Sequence, residues 1–176
     1  WDIDARKATN TFLCLSEFIQ TKPVDFFSHF NQFIRPLKSD YQPKWLHFRE
    51  ERREKHAAYF ETIKYSDFSV FEQALKSIPD DCQLQISNSS IIRYAQLFSI
   101  KKSVTIFCNR GTSGIDGSTS TAIGAAYATK KQTVFITGDL SFFYDSNGLW
   151  NSNIPKSFRI IIINNSGGGI FRIIPG

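Results

Sequence analysis

Methionine is absent from this chain of 176 residues, and only three cysteines and three histidines occur in it. The cysteines lie far apart at Cys14, Cys82 and Cys108, and none belongs to a Cys-x-x-Cys pair. This spacing excludes a disulfide framework and a common zinc-binding pattern. We therefore expect the three cysteines to be reduced core residues of a cytoplasmic protein.

Long apolar runs and a signal sequence are also lacking. No run of about 18 apolar residues occurs, so a membrane-spanning helix is not expected. The first residues, Trp-Asp-Ile-Asp-Ala-Arg, do not show the basic and then apolar pattern of a secretory signal. Because an initiator methionine is missing as well, we expect residues 1–176 to be a piece of a longer polypeptide.

The net charge of +5 does not indicate a nucleic-acid partner. Much of the basic charge lies in residues 49–56, where acids and bases alternate along a predicted helix. Such a pattern is typical of a solvated helix face with ion pairs between neighbouring turns. No recognisable nucleic-acid-binding module accompanies it, so we expect none.

The first 78 residues show helical spacing. Thr9 or Asn10 is a possible cap for a helix that includes Leu13 and Leu15, and Pro23 suits the first turn of a second helix. A third helix is predicted from about Pro43 to Tyr65. Aromatic residues recur along these helices, and we interpret them as core; they are Phe26, Phe27, Phe30, Phe33, Trp45, Phe48, Tyr59 and Phe60.

From residue 83 the pattern alternates between short apolar strands and helices. Strands are predicted at residues 84–86, 104–108, 134–137 and 158–163, with helices at residues 89–98, at 118–128 and after Asp139. This alternation predicts an α/β fold with a doubly wound, mostly parallel sheet, preceded by a helical segment.

Two of these strands end in polar side chains. Gly138-Asp139 follows the run 134–137, and Asn164-Asn165 follows the run 158–163. Ligands bind at the carboxyl edge of open parallel sheets, and carboxylate, amide and carbonyl oxygens suit Mg²⁺ shared with a phosphate. The alternative is structural: a strand-end turn with a helix cap, followed by a flexible loop.

The glycines of the loop at residues 111–117 follow the pattern Gly-x-x-Gly-x-x-Gly. This does not match the Gly-x-Gly-x-x-Gly of dinucleotide-binding loops, so an NAD site is weakly supported. The loop precedes a helix of small residues, which allows a ligand to approach the backbone closely. A tight connection between a strand and a helix explains the same pattern without a ligand.

Three segments together resemble one enzyme family. They are Ser87-Asn88-Ser89-x-x-x-Arg93, Asn109-Arg110-Gly-Thr-Ser-Gly-Ile-Asp-Gly117 and Gly138-Asp139-Leu-Ser-Phe-Phe-Tyr-Asp145. The chain is thereby similar to the thiamine-diphosphate enzymes, and within them to the 2-succinyl-5-enolpyruvyl-6-hydroxy-3-cyclohexene-1-carboxylate synthases (MenD) of menaquinone biosynthesis. The general family motif begins Gly-Asp-Gly, whereas this chain has Gly-Asp-Leu-Ser, as the menaquinone branch does.

The resemblance implies a domain division and a set of site residues. Residues 1–22 correspond to the end of a middle domain, 23–78 to a helical linker and the start of the C-terminal domain, and 79–176 to a diphosphate-binding domain that is incomplete at its C-terminus. The implied metal ligands are Asp139, Asn165 and the Gly167 carbonyl. The implied cofactor contacts are Ile115, Gly138, Asp139, Leu140, Ser141, Asn165, Gly167 and Gly168. The implied substrate contacts are Asn88, Ser89, Arg93, Arg110, Ile170, Phe171 and Ile174.

By the same resemblance, thiamine diphosphate and Mg²⁺ or Mn²⁺ are the expected cofactors, and 2-oxoglutarate and isochorismate the expected substrates. The implied reaction is decarboxylation followed by conjugate addition, catalysed by a transferase that acts as a homodimer or higher homo-oligomer with its site between subunits. The glutamate that activates the cofactor in this family has no match here, so we expect the chain alone to be inactive. The alternatives are another thiamine-diphosphate lyase and a non-catalytic nucleotide-binding module.

Overall fold

The computed structural model describes residues 8–168, and it divides into two units, residues 1–54 and 55–176. Three predicted substrate contacts, Ile170, Phe171 and Ile174, lie outside the described residues. Within the described part, none of the helices has the length and apolar character needed to cross a bilayer. The predicted domain boundaries at residues 22 and 78 stay a prediction.

The first unit contains helix α1 (Pro23–Phe33) and the start of α2 (Tyr41–Thr62). The predicted helix around Leu13 is wrong, because residues 8–22 contain no helix. Asn10 Oδ1 instead accepts a hydrogen bond from the Leu15 backbone N–H at 3.0 Å, and Leu13 has a φ of 54°. The polar side chain thus closes a turn, and a left-handed residue within it prevents helical continuation.

The aromatic residues of the first unit are not buried, which corrects the predicted core. None of the residues 8–54 is buried, and Phe33 and Trp45 are 78% and 56% exposed. Their rings contact neighbours on the same helix, as with Trp45 and Phe48 at 5.9 Å between centroids. The helical spacing therefore predicted α1 and α2 correctly, but nothing within residues 8–54 buries their apolar stripes.

The second unit confirms the α/β prediction. Its elements after α2 are listed in chain order: α3 (Asp67–Ser77), β1 (Gln83–Ile86), α4 (Ser90–Ala95), β2 (Thr105–Cys108), α5 (Ser118–Tyr127), β3 (Thr133–Gly138), α6 (Asp139–Tyr144), a 3₁₀ helix (Ser146–Leu149) and β4 (Phe158–Ile163). The four strands form one sheet in the order β2-β1-β3-β4, and every neighbouring pair is parallel.

Helices cover both faces of this sheet. On one face, Phe71 and Leu75 of α3 and Ile91 of α4 pack in a cluster with Val134 and Ile136 of β3. On the other face, α5 contributes Ala122, Ile123 and Ala126 to a cluster with Phe135 and Phe158. Alternate residues of β3 thus enter opposite clusters, as the two-residue period of a strand requires. A strand apolar on both faces is typical of a central strand in a parallel sheet.

Parallel pairing also determines where the polar strand ends lie. Ile86 is aligned with Ile136, and Gly138 is aligned with Ile163. The residues that follow these strands therefore leave the sheet at the same edge. Asn88, Asp139 and Asn165, which follow β1, β3 and β4, lie at this edge.

Candidate diphosphate and metal site

A cleft lies at the carboxyl edge of the sheet, beside the ends of β1, β3 and β4. Its lining includes most of the described residues predicted to contact the cofactor. The lining residues are Asn88, Ser89, Ser90, Ile91, Ile115, Gly138, Asp139, Leu140, Ser141, Asn165 and Gly168. The fold thus brings together loops that are far apart in the chain.

Asp139 begins α6 directly after β3, and it is only 9% exposed. Its Oδ1 accepts a hydrogen bond from the Leu140 N–H, and its Oδ2 accepts one from the Gly167 N–H, both at 2.7 Å. The second bond fixes the loop after β4 against the start of α6. Each carboxylate oxygen keeps further acceptor capacity for a cation, since an ionised carboxylate offers about four lone-pair sites.

Asn165 lines the same cleft from the loop after β4. Its Nδ2 donates a hydrogen bond to Asp67 Oδ2 at 2.8 Å, across 98 residues of chain. Among the described residues, Asn165 Oδ1 accepts no hydrogen bond that would compete with a ligand. No role in the site was predicted for Asp67. No local pattern connects it with Asn165, so the sequence offered no signal for the contact.

The donor set fits a hard cation. Asp139 offers a carboxylate and Asn165 an amide oxygen in the cleft lining. The third predicted ligand, the Gly167 carbonyl, is an oxygen as well, although Gly167 is not part of that lining. Within residues 8–168, no group of three or more His, Cys, Asp or Glu side chains is arranged for a metal ion. One carboxylate supported by neutral oxygens suits Mg²⁺ that also binds a substrate or cofactor phosphate. It does not suit zinc, which takes nitrogen and sulfur ligands.

Ser141 lines the cleft, and its hydroxyl bonds within the protein. The cofactor contact that the resemblance implies for Ser141 stays a prediction. In the structure, Ser141 Oγ donates a hydrogen bond to the carbonyl of Ile115 at 2.6 Å, and the side chain is 4% exposed. The hydroxyl proton is therefore used to hold the loop of Ile115 against α6.

The side-chain amide of Asn88 also forms its hydrogen bonds within the protein. It is 1% exposed, and its Nδ2 donates to the carbonyls of Asn109 and Gly114. Its Oδ1 accepts a hydrogen bond from Arg110 Nη1 at 3.2 Å and a weaker one from Cys108 Sγ at 3.6 Å. This single amide therefore holds the residue before the loop at Asn109, the middle of the glycine-rich loop at Gly114, and one predicted substrate arginine.

The two arginines predicted to bind substrate do not line the cleft. Arg93 and Arg110 are both exposed, and only Arg110 is bonded to a residue of the cleft lining. Ser89 does line it, with a φ of 67°. A positive φ in a serine costs conformational energy, and such strain is often found at binding sites. The substrate contacts remain predictions.

Burial raises the pKa of two side chains in the second unit. Burial raises the pKa of the Cys108 thiol, and the nearby Arg110 guanidinium opposes this in part. Burial likewise raises the pKa of the Tyr94 hydroxyl, and the negative charge of Asp67 adds to the increase. Both side chains are thereby held in their neutral forms at physiological pH.

Comparison with known proteins gives a consistent set of relatives. No family model matches the chain. Over all 176 residues it is 56% identical to a 2-succinyl-5-enolpyruvyl-6-hydroxy-3-cyclohexene-1-carboxylate synthase of Flavobacterium psychrophilum, and 55% identical to the protein of the same name from Flavobacterium johnsoniae. A synthase of this name from Christiangramia forsetii is 52% identical over the same length. The chain spans 30–32% of the length of these curated relatives.

Proposed function

We propose that this chain carries the diphosphate- and metal-binding part of an enzyme. The chain belongs to the 2-succinyl-5-enolpyruvyl-6-hydroxy-3-cyclohexene-1-carboxylate synthase family, and the proposal proceeds from that membership. The whole protein is then a transferase of menaquinone biosynthesis that uses thiamine diphosphate with Mg²⁺ or Mn²⁺. One observation carries the proposal. Asp139 and Asn165, from the ends of two neighbouring parallel strands, line one cleft.

In this proposal, Asp139, Asn165 and the Gly167 carbonyl hold the metal ion, and the backbone around Gly138, Leu140 and Gly168 lies against the diphosphate. Thiamine diphosphate, when bound, supplies the chemistry for decarboxylating a 2-oxo acid and joining the remaining unit to an acceptor. The protein's contribution is to bind, orient and exclude water. The low exposure of Asp139 and Ser141 supports such a water-poor site.

Ile115 is the proposed apolar support of the cofactor. It lines the cleft, and its carbonyl is held by Ser141. A side chain that determines the shape of a bound molecule acts best when its backbone is rigidly positioned. Ser141 therefore contributes to the site through Ile115, beside any contact that its own backbone makes with phosphate.

The proposed substrates, 2-oxoglutarate and isochorismate, are dicarboxylates. A guanidinium recognises a carboxylate with two parallel hydrogen bonds, which suits Arg93 and Arg110. Arg110 is partly oriented by Asn88 and is exposed, so its remaining donors are free to reach a carboxylate at the mouth of the cleft. Asn88 and Ser89 complete this side, with Ile170, Phe171 and Ile174 proposed as an apolar wall.

The activating glutamate is proposed to lie outside this chain, because the relatives are about three times as long. We further propose that the complete protein is a cytoplasmic homo-oligomer with the site between subunits, and that the chain alone does not turn over substrate. The division at residues 22 and 78 belongs to the same proposal.

The test is a calorimetric titration of the full-length protein with thiamine diphosphate, with and without Mg²⁺. We expect Mg²⁺-dependent binding, and a loss of at least about tenfold in affinity in Asp139→Asn because a metal ligand is lost. Asp81→Asn removes the same charge at an exposed position away from the cleft and serves as the matched control. Nucleotide binding without metal would instead support a non-catalytic module.

Measurement of turnover distinguishes the proposed synthase from the remaining alternative, another thiamine-diphosphate lyase. The full-length protein should consume 2-oxoglutarate only when isochorismate is present as the acceptor. Condensation of two 2-oxo acids in place of this reaction would indicate another thiamine-diphosphate lyase.

A further inference from the structure

Asn165 has an amide whose two ends are nearly equal in shape and opposite in hydrogen bonding. One end donates through Nδ2, and the other accepts through Oδ1. Only the oxygen can bind a cation. Asp139 lines the same cleft, and a carboxylate by itself favours an amide that presents its N–H groups to the cleft. Without a second partner, Asn165 can therefore turn toward the cleft the end that cannot bind metal.

Asp67 supplies that second partner. Its carboxylate can only accept a hydrogen bond, so contact with Asn165 at 2.8 Å requires that Nδ2 face Asp67. Oδ1 is then the end of the amide that is left for a ligand. Asp67 thus selects one of two amide orientations, which a neutral donor–acceptor side chain in its place cannot do.

The position of Asp67 is itself fixed. It is the first residue of α3, where a negative charge interacts favourably with the helix N-terminus. The turn is closed by a hydrogen bond from the Ser66 N–H to Ser69 Oγ at 3.0 Å and one from Ser69 Oγ to the Ser66 carbonyl at 2.8 Å. Further along α3, Phe71 and Leu75 are 0% and 5% exposed in the core.

The loop that carries Asn165 needs such an anchor. Ser166, Gly167 and Gly168 all have positive φ, at 66°, 88° and 59°. Asp139 holds this loop at Gly167, and Asp67 holds it at Asn165. The two aspartates therefore act on neighbouring points of the loop from two different elements, α6 and α3.

We propose that Asp67 is a positioning residue for the metal site, which acts by holding the Asn165 amide with its oxygen available to Mg²⁺. This inference rests on the proposed function, because it assumes that Asn165 binds the metal. Loss of a partner that orients a metal ligand typically weakens metal binding by about 10–100-fold.

The experiment compares Asp67→Asn with the wild type in the full-length protein. Asparagine has the same shape but can donate or accept, so it allows both amide orientations of Asn165. The apparent Kd for Mg²⁺ is measured calorimetrically at saturating thiamine diphosphate. We expect it to rise by about 10-fold or more, and cofactor binding to be restored at high Mg²⁺. Asp81→Asn, with the same loss of charge, should leave the Kd unchanged.

A double-mutant cycle separates positioning from a general structural effect. If Asp67 acts through Asn165, then Asp67→Asn has no further effect on the Mg²⁺ Kd in an Asn165→Ala background. The midpoint of thermal unfolding without metal should also stay close to that of the wild type. Equal effects of Asp67→Asn in both backgrounds, or an unchanged Kd in the single variant, overturn the inference.

The wild-type protein tests the proposed function on which this inference rests, namely that thiamine diphosphate binding depends on Mg²⁺. If wild-type protein binds thiamine diphosphate without any dependence on Mg²⁺, the proposed function fails and the role of Asp67 fails with it. If the wild type shows the dependence and Asp67→Asn matches it, only the role of Asp67 fails.

Discussion

Asn88 Nδ2 donates a hydrogen bond of 2.6 Å to the carbonyl of Gly114, which lies 26 residues further along the chain. The bond joins the end of β1 to the glycine-rich loop that follows β2. Asn88 lines the cleft and is 1% exposed. The shape of the cleft therefore depends in part on this buried amide and on the loop that it holds.

Replacing this amide should destabilise the protein. Asn88→Ala leaves the carbonyls of Asn109 and Gly114 without their donor, and we expect the free energy of unfolding to fall by about 2–4 kcal/mol. Urea unfolding followed by tryptophan fluorescence measures the change. Asn151→Ala is the control, since Asn151 is exposed and bonds within its own turn. Equal effects of the two substitutions would contradict the assigned role.

The bond between Ser141 and Ile115 gives a second prediction. Ser141→Ala removes the hydroxyl donor and leaves the Ile115 carbonyl unpaired beside the cleft, so we expect a loss of about 1–2 kcal/mol in the free energy of unfolding. Because Ile115 lines the cleft, the affinity for thiamine diphosphate should fall as well. Ser99→Ala, at an exposed position, should change neither quantity. Wild-type stability and affinity in Ser141→Ala would show that the bond does not support the site.

Substitution of Gly148 and of Gly124 by alanine gives a matched pair of variants that tests the packing around α5. A Cβ at Gly148 lies 2.9 Å from Ser120 Oγ and 3.2 Å from Ser120 N, and that hydroxyl is already bonded to Asp145 at 2.6 Å. Gly148→Ala should therefore lower the free energy of unfolding by about 1–3 kcal/mol.

Gly124 lies within α5, and a Cβ there meets nothing within 4 Å. Gly124→Ala should raise the free energy of unfolding by about 0.5–1 kcal/mol, because alanine loses less backbone entropy in a helix. The same urea experiment compares both variants. A stabilising Gly148→Ala would show that the contact between the 3₁₀ helix and α5 is looser than described.

The buried thiols predict a decline of stability at alkaline pH. Burial raises the pKa of Cys82 and of Cys108 above the ordinary value of 9.0. The unfolded chain therefore ionises first. The contribution of these thiols to stability is complete below the ordinary pKa and is lost as the pH rises through the folded pKa. Each thiol contributes a slope of at most about 1.4 kcal/mol per pH unit in this window.

The measurement is the free energy of unfolding at several pH values between about 8 and 10.5. Cys82→Ala removes one ionisable group and should make the decline shallower. Cys14→Ala, at an exposed position, should leave the slope as it is in the wild type. A decline of the same steepness in Cys82→Ala would assign the pH dependence to other groups.

Local pattern predicted the strands of the second unit, and in the first unit it predicted α1 and α2 but not their exposure. The apolar runs 134–137 and 158–163 both form strands, because β-branched residues suit a parallel sheet. Their burial differs, since β3 is buried at five of its six residues whereas β4, at the edge of the sheet, is buried only at Phe158 and Ile163. In the first unit, the same kind of inference failed for burial. A stripe of aromatic residues shows which face of a helix is apolar, but not whether another element covers it.

By itself the sequence determined the α/β class, the strands and the edge at which Asp139 and Asn165 emerge, since these depend on residue periodicity and on the rule that parallel strands end together. Only the tertiary structure decided that Ser141 bonds to Ile115, that Asn88 turns inward to the glycine-rich loop, and that Asp67 meets Asn165 across 98 residues. Hydrogen bonds between distant residues leave no periodic trace in the sequence, because they depend on the path by which the packed helices and strands bring those residues together.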